Sequence, residues 1–150
     1  MTISNHVLVA SLIAVTIKEP ALVLPLAFLS HYVLDALPHY GYPGHGGYGE
    51  AFKHKATFIM ESFNFIGIII LLFTIHFSVW VVTAAIILSI LPDIEWPYRY
   101  IFFERKSLKP PDTITARFHQ KIQWCERWWG IYSEVGFFII FYIIFLKYNG

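Results

Sequence analysis

Three side chains in and just beyond the second apolar stretch carry the clearest chemistry: His31, Asp35 and His39, spaced four residues apart. On an α-helix a four-residue step advances only about 40° around the axis, so the three share a face. Imidazole and carboxylate are ordinary ligands for zinc and similar divalent ions. Along a straight helix His31 and His39 would stand about 12 Å apart, too far for all three to hold one ion. Either Pro38 turns the chain so that His39 folds back, or Asp35 bridges two ions.

Further candidates belong to other segments. His6 opens the first apolar run. His54 opens the third, with Glu61 seven residues on and nearly on the same helical face, and Asn64 one turn deeper. Asp93 and Glu95 close the fourth run in Leu91-Pro92-Asp93-Ile94-Glu95. In an up-down arrangement the starts of the first and third runs meet the ends of the second and fourth. His6, His54 and Asp93 are therefore a second group of candidate metal ligands. Glu61 or Glu95 would act as general base or as the partner that orients a ligand. Plainer roles compete with these. Asp93 after Pro92 can end a helix, and Glu61 and Asn64 can be hydrogen-bonding glue between helices. His45, His76 and His119 read as wetted side chains at a membrane interface.

The elements that must position these residues are hydrophobic helices. Hydrophobic residues make up 57% of the 150-residue chain and charged ones 14%, against about a quarter in a soluble domain. The expected fold is all-α: one domain, 1–150, forming a polytopic membrane bundle of four to five hydrophobic helices plus an amphipathic surface helix. The apolar segments run over about 6–17, 21–37, 57–75, 79–91 and 130–146. The first, capped by Ser4 or Asn5, is short for a full span at about 1.5 Å per residue. Only His76-Phe77-Ser78 separates the third from the fourth, which implies a tight antiparallel hairpin. Trp128 and Trp129 suit an interfacial belt at the entry to the last.

Two connections are longer. The stretch from His39 to Lys55 is rich in glycine but lacks the Gly-Lys-Ser/Thr of a phosphate-cradling loop, so it reads as a flexible loop. The stretch 95–127 carries Arg99, Arg105, Lys106, Lys109, Arg117, Lys121 and Arg127. Basic residues beside membrane spans record orientation, so this connection is expected to be cytoplasmic, and nucleic-acid binding explains the charge poorly. Ile114, Phe118, Ile122 and Cys125 recur at helical spacing, which predicts a membrane-surface helix over about 112–127. Cys125, the single cysteine, excludes an internal disulfide and a CxxC motif.

These residues resemble the YdjM-like family of bacterial membrane-bound proteins, which are described as metal-dependent hydrolases. The likeness lies in His6 within Asn5-His6-Val7-Leu8, His54 within Lys53-His54-Lys55-Ala56, and Asp93 within Leu91-Pro92-Asp93-Ile94-Glu95. The segment from Ser30 to His39 is similar to a His-x-x-x-Asp element of that family and of zinc-dependent phospholipase C-like enzymes. The chain departs in having Pro38-His39 where Pro-Asp is often found, and Glu95 where a second Asp is common. The resemblance implies a multi-pass protein of the bacterial inner membrane. It also implies a divalent metal, zinc first and manganese or magnesium next, and hydrolysis at the membrane. A site at helix ends would suit membrane lipid as partner and a lipid or phosphoester headgroup as substrate. The alternative is a non-catalytic metal-binding, transport or structural membrane subunit. A transporter should place polar residues along its whole path, whereas Ile66 to Phe73 and Phe137 to Phe145 are almost wholly apolar.

Overall fold

The computed structural model describes residues 1–17, 19–41, 54–75 and 80–149. Helix α1 covers Ile3–Ile17 and α2 covers Pro20–Asp35, followed by a short strand β1, His39–Tyr40. Then come α3 (Lys55–Thr74), α4 (Trp80–Ile90), a 3-10 turn over Leu91–Ile94, and α5 (Glu95–Phe102). Helix α6 is Ile114–Ile122, strand β2 is Glu126–Arg127 and the last helix, α7, is Ile131–Tyr148. The fold is all-α, and the two strands are a latch of two residues each.

Three helical runs are long and apolar enough to cross a membrane: Lys55–Thr74, Trp80–Lys106 and Trp128–Tyr148. Helices α1 and α2, with 15 and 16 residues, reach roughly 22–24 Å at 1.5 Å per residue, short of a hydrocarbon core of about 30 Å. The shorter α1 is nevertheless the hub, since it packs against α2, α3, α4 and α7. Ser4, Ala10, Ser11 and Ala14 on α1 are all buried, and small side chains let helix backbones approach closely. Gly67 of α3 serves the same approach: a Cβ there would stand 3.0 Å from Ser4 and 3.1 Å from Phe138. Leu8, Val23, Ala27, Leu71, Val82, Ala85 and Phe145 complete the apolar core around this hub.

The outward faces are also apolar. Phe58, Phe65 and Phe73 of α3 are exposed, Phe73 at 86%, as are Ile139, Ile140 and Ile143 of α7 and Leu22, Leu29 and Val33 of α2. A surface of this kind over several helices fits lipid better than water.

Four expected boundaries change. Ser4 and Asn5 lie inside α1 and are buried, instead of preceding it. The second helix stops at Asp35, with Ala36 as its C-cap, so the four-residue repeat does not continue to His39. The fourth segment does not end at residue 91; the 3-10 turn carries it into α5. The surface helix is also shorter than 112–127, because Gln123–Cys125 tightens to 3-10 geometry and Glu126–Arg127 pairs in parallel with His39–Tyr40. The 76–78 turn, His45 and the glycines of the 39–55 loop beyond Gly41 lie outside the described residues.

The latch explains one glycine. Gly130 precedes α7 where β1 crosses it, and a Cβ there would overlap the His39 carbonyl and the Tyr40 nitrogen. The latch fixes the end of α2 to the start of α7, and Tyr40 Oη ties it to Thr57 Oγ1 of α3 at 2.8 Å.

Candidate metal centre

One end of the bundle holds a buried polar cluster. The last turn of α2 supplies His31 and Asp35, the 3-10 turn supplies Asp93, and α6 supplies His119. One ligand atom from each lies within 4.8 Å of every other. Asp35 is at the centre: its Oδ2 is 2.7 Å from His119 Nε2 and 3.3 Å from His31 Nε2. Asp93 Oδ1 lies 3.8 Å from His31 Nε2 and 3.9 Å from His119 Nε2. His6 enters from α1, with Nε2 3.2 Å from Asp35 Oδ1 and 4.0 Å from Asp93 Oδ2. Its ring stacks on that of His31 at 4.3 Å. Met1 N lies 2.6 Å from Asp35 Oδ1, beside His6, while Oδ2 faces His31, His119 and Gln123 Nε2.

The donor set fits a divalent ion. A carbonyl oxygen can only accept, so His31 Nδ1, 2.8 Å from Ser89 O, carries a proton and donates it. A ring so oriented turns Nε2 toward the carboxylates, and that atom is buried without a hydrogen-bond partner. It faces two carboxylate oxygens, each rich in lone pairs, an arrangement that a shared cation relieves, as the Met1 ammonium does at the far oxygen of Asp35. Fixing one ring nitrogen on a backbone carbonyl is how proteins orient a metal-binding imidazole. Ligands bonded at about 2.1 Å around a tetrahedral ion lie about 3.4 Å apart, in the middle of these separations.

Local structure delivers His119. Thr113 Oγ1 caps α6 by accepting from Ala116 N at 3.1 Å, and donates to Glu95 Oε1 at 2.6 Å. That clamp seats α6 so that Ala116 and His119, three residues apart, turn inward while Ile114 and Phe118 stay exposed. The interfacial reading of His119 is thus corrected: the side chain is 3% exposed and belongs to the cluster.

The other candidates fall outside it. His39 is buried, but its Nδ1 donates to Leu37 O at 2.8 Å. Helix α2 ends before it, so it neither shares the face of Asp35 nor joins the four ligands. Burial holds its imidazolium below the ordinary histidine range. His54 is the exposed N-cap residue of α3 and is likewise not among those ligands. Glu95 spends Oε1 on Thr113. Glu61 is exposed and lines a cavity of about 270 Å³ together with Asp93, Asn64 and Glu134.

Glu134 of α7 escaped the sequence reading. It is 1% exposed and receives hydrogen bonds from Thr2 N, Thr2 Oγ1 and Asn5 Nδ2, the last at 2.7 Å. Asn64 Oδ1 accepts from Ser4 N at 2.9 Å, which gives Asn64 the role of interhelical glue. Together the two side chains satisfy donors at the buried start of α1, where a carboxylate also complements the helix dipole. A lone acid within an apolar run was the signal available for Glu134.

Set against family models, curated proteins and solved structures, the chain matches none.

Proposed function

We propose that this protein is a multi-pass membrane hydrolase that depends on a divalent metal and cleaves a phosphoester at the membrane interface. The observation that carries the reading is the buried, unpartnered Nε2 of His31 facing Asp35 and Asp93. His31, Asp35, Asp93 and His119 would hold the ion, with His6 beside them. Two imidazoles with two carboxylates favour zinc, then manganese, over magnesium. When bound, such an ion lowers the pKa of water toward neutrality and polarises a phosphoryl oxygen.

The chain's own residues supply the rest. The cavity shared by Asp93 and Glu61 admits water beside the cluster. Of its acids, Asp93 belongs to the cluster and Glu134 is saturated by hydrogen bonds, which leaves Glu126 and Glu61, the latter with a single long contact with Asn64 at 3.5 Å. Glu61, the acid singled out by its helical register with His54, would take the proton as a water oxygen bonds to phosphorus, with Glu126 the other acid of the cavity open to that role. The bond from phosphorus to the alcohol oxygen breaks, and that oxygen takes up a proton. The hydrolase assignment also draws on the YdjM-like resemblance. In this reading α1 and α2 sit in the membrane as short or tilted helices, which gives four to five spans. The basic 95–127 stretch faces the cytoplasm of a bacterial inner membrane.

The test is turnover of phosphatidate or a soluble phosphoester by purified protein in nanodiscs. Activity should vanish with a chelator, return with zinc or manganese, and fall in Glu61→Gln with metal retained. A fully metal-loaded protein that cleaves no phosphoester would overturn the hydrolase reading.

A further inference from the structure

A second cavity reaches the cluster through His119. It measures about 510 Å³, within the usual range for a small-molecule site. Phe28 and Tyr32 of α2 and Leu91, Ile94 and Tyr98 of the α4–α5 run give it apolar walls. Leu91, Ile94 and Tyr98 are also exposed on the outer surface, at 44%, 55% and 48%, so the mouth is apolar as well as the interior.

One wall carries a charge that the fold leaves unused. Nε and Nη1 of Arg99 are buried and have no hydrogen-bond partner. Glu95, one helical turn earlier, is committed to Thr113 instead. The guanidinium lies over the ring of Trp96 at 5.4 Å, and that ring stands 5.5 Å from His119. A cation–π contact offsets only part of the cost of desolvating a guanidinium at a largely apolar cavity wall. The missing partner should be an anion, because buried guanidinium donors are best satisfied by phosphate or carboxylate oxygens.

We propose that this cavity binds a membrane phospholipid bearing a phosphate monoester. The phosphate would sit against Arg99 and the acyl chain along the walls of Phe28, Leu91 and Ile94. Such a molecule supplies both the anion Arg99 lacks and the apolar body the cavity accepts, and it can enter sideways from the bilayer through the apolar mouth. The site deepens the hydrolase reading and rests on it only in putting the phosphoester beside His119; binding itself needs no turnover.

The experiment measures lipid retained on protein kept metal-free with a chelator, so that no turnover intervenes, and released from phosphatidylcholine nanodiscs, by native mass spectrometry. Dioleoyl phosphatidate is compared with dioleoylglycerol, which has the same chains without the phosphate. Phosphatidate should bind at least about tenfold more tightly, the worth of one or two hydrogen bonds to a charged group. Arg99→Met should erase that preference, Arg99→Lys should keep part of it, and inorganic phosphate should not displace the lipid. Asp35→Ala, which strips the cluster, should still bind phosphatidate through Arg99. Should it do so while the wild type shows no turnover, this site stands and the hydrolase reading falls. Equal binding of the two lipids by the wild type, a preference that survives Arg99→Met, displacement by inorganic phosphate, or loss of phosphatidate from Asp35→Ala would each overturn the proposal.

Discussion

Two cavities flank one cluster, and they differ in almost every respect. The smaller is lined by Asp93, Glu61, Asn64 and Glu134, and its Asn64 and Glu134 are held by donors at the start of α1. The larger is walled by aromatic and aliphatic side chains, and its one guanidinium is left with unpaired donors. Asp93 belongs to the first and His119 to the second, so the cluster is where water and an apolar molecule can meet. The contrast shows how a chain that is 57% hydrophobic can still hold a reactive centre. Charge is gathered at one end of the short inner helices, while the longer helices turn apolar faces outward.

The sharpest way to break this contrast is to exchange the two histidines that sequence spacing and structure weigh differently. His119→Ala should lower metal affinity by more than the 10–100-fold typical of losing a partner that merely orients a ligand. His39→Ala should leave metal content unchanged, because that ring is bonded to Leu37 O. Titration with a fluorescent zinc competitor reads both, and equal losses would put His39 back in the centre.

The polar side should respond next. Glu134→Ala leaves Asn5 Nδ2 and Thr2 N without the acceptor they share. A loss of about 1–3 kcal/mol per buried group is expected, seen as a lower thermal midpoint in detergent. A midpoint equal to wild type would mean that α1 does not need this cap.

On the apolar side the effect is smaller. Thr113→Val keeps the shape but removes both the α6 cap and the bond to Glu95. About 1 kcal/mol of local stability should go, with faster amide exchange over Ile114–Ile122 and a modest fall in metal affinity. Unchanged exchange there would show that apolar packing alone seats α6.

The mildest effect is one of pH. His39 is buried with its pKa depressed, so the unfolded chain binds its proton more readily than the folded one. Its contribution is complete above the ordinary histidine pKa of about 6.5 and declines as pH falls toward the folded value. Thermal midpoints should therefore drop less steeply on acidification in His39→Gln than in the wild type. A parallel slope would locate the acid sensitivity elsewhere.

Much of the centre is legible in the residues themselves. The spacing of His31 and Asp35 needs only helical geometry, and Asp93 needs only an up-down arrangement that brings helix ends together. His39 fails because that geometry stops with the helix at Asp35. His119 lies 84 residues from Asp35 and on a helix whose obvious feature is the exposed Ile114 and Phe118. The subtler signal was its opposite face, where small Ala116 allows α6 to approach α2. The latch between β1 and β2 was invisible because two-residue strands have no periodicity to detect. The continuation of α4 through Pro92 into α5 was hidden for a related reason: proline suits the first turn of a new helical segment as well as the end of an old one.

The central claim is that four side chains from three separate segments hold one divalent ion. Its most direct measurement is metal content together with X-ray absorption on purified protein exposed to zinc and then dialysed. One ion per chain with imidazole in its shell is expected, with loss of most of that ion in Asp35→Ala and in Asp35→Asn, which keeps the shape of the side chain but not its charge. No stoichiometric metal in the wild type, or an ion that Asp35→Ala still holds, would contradict it.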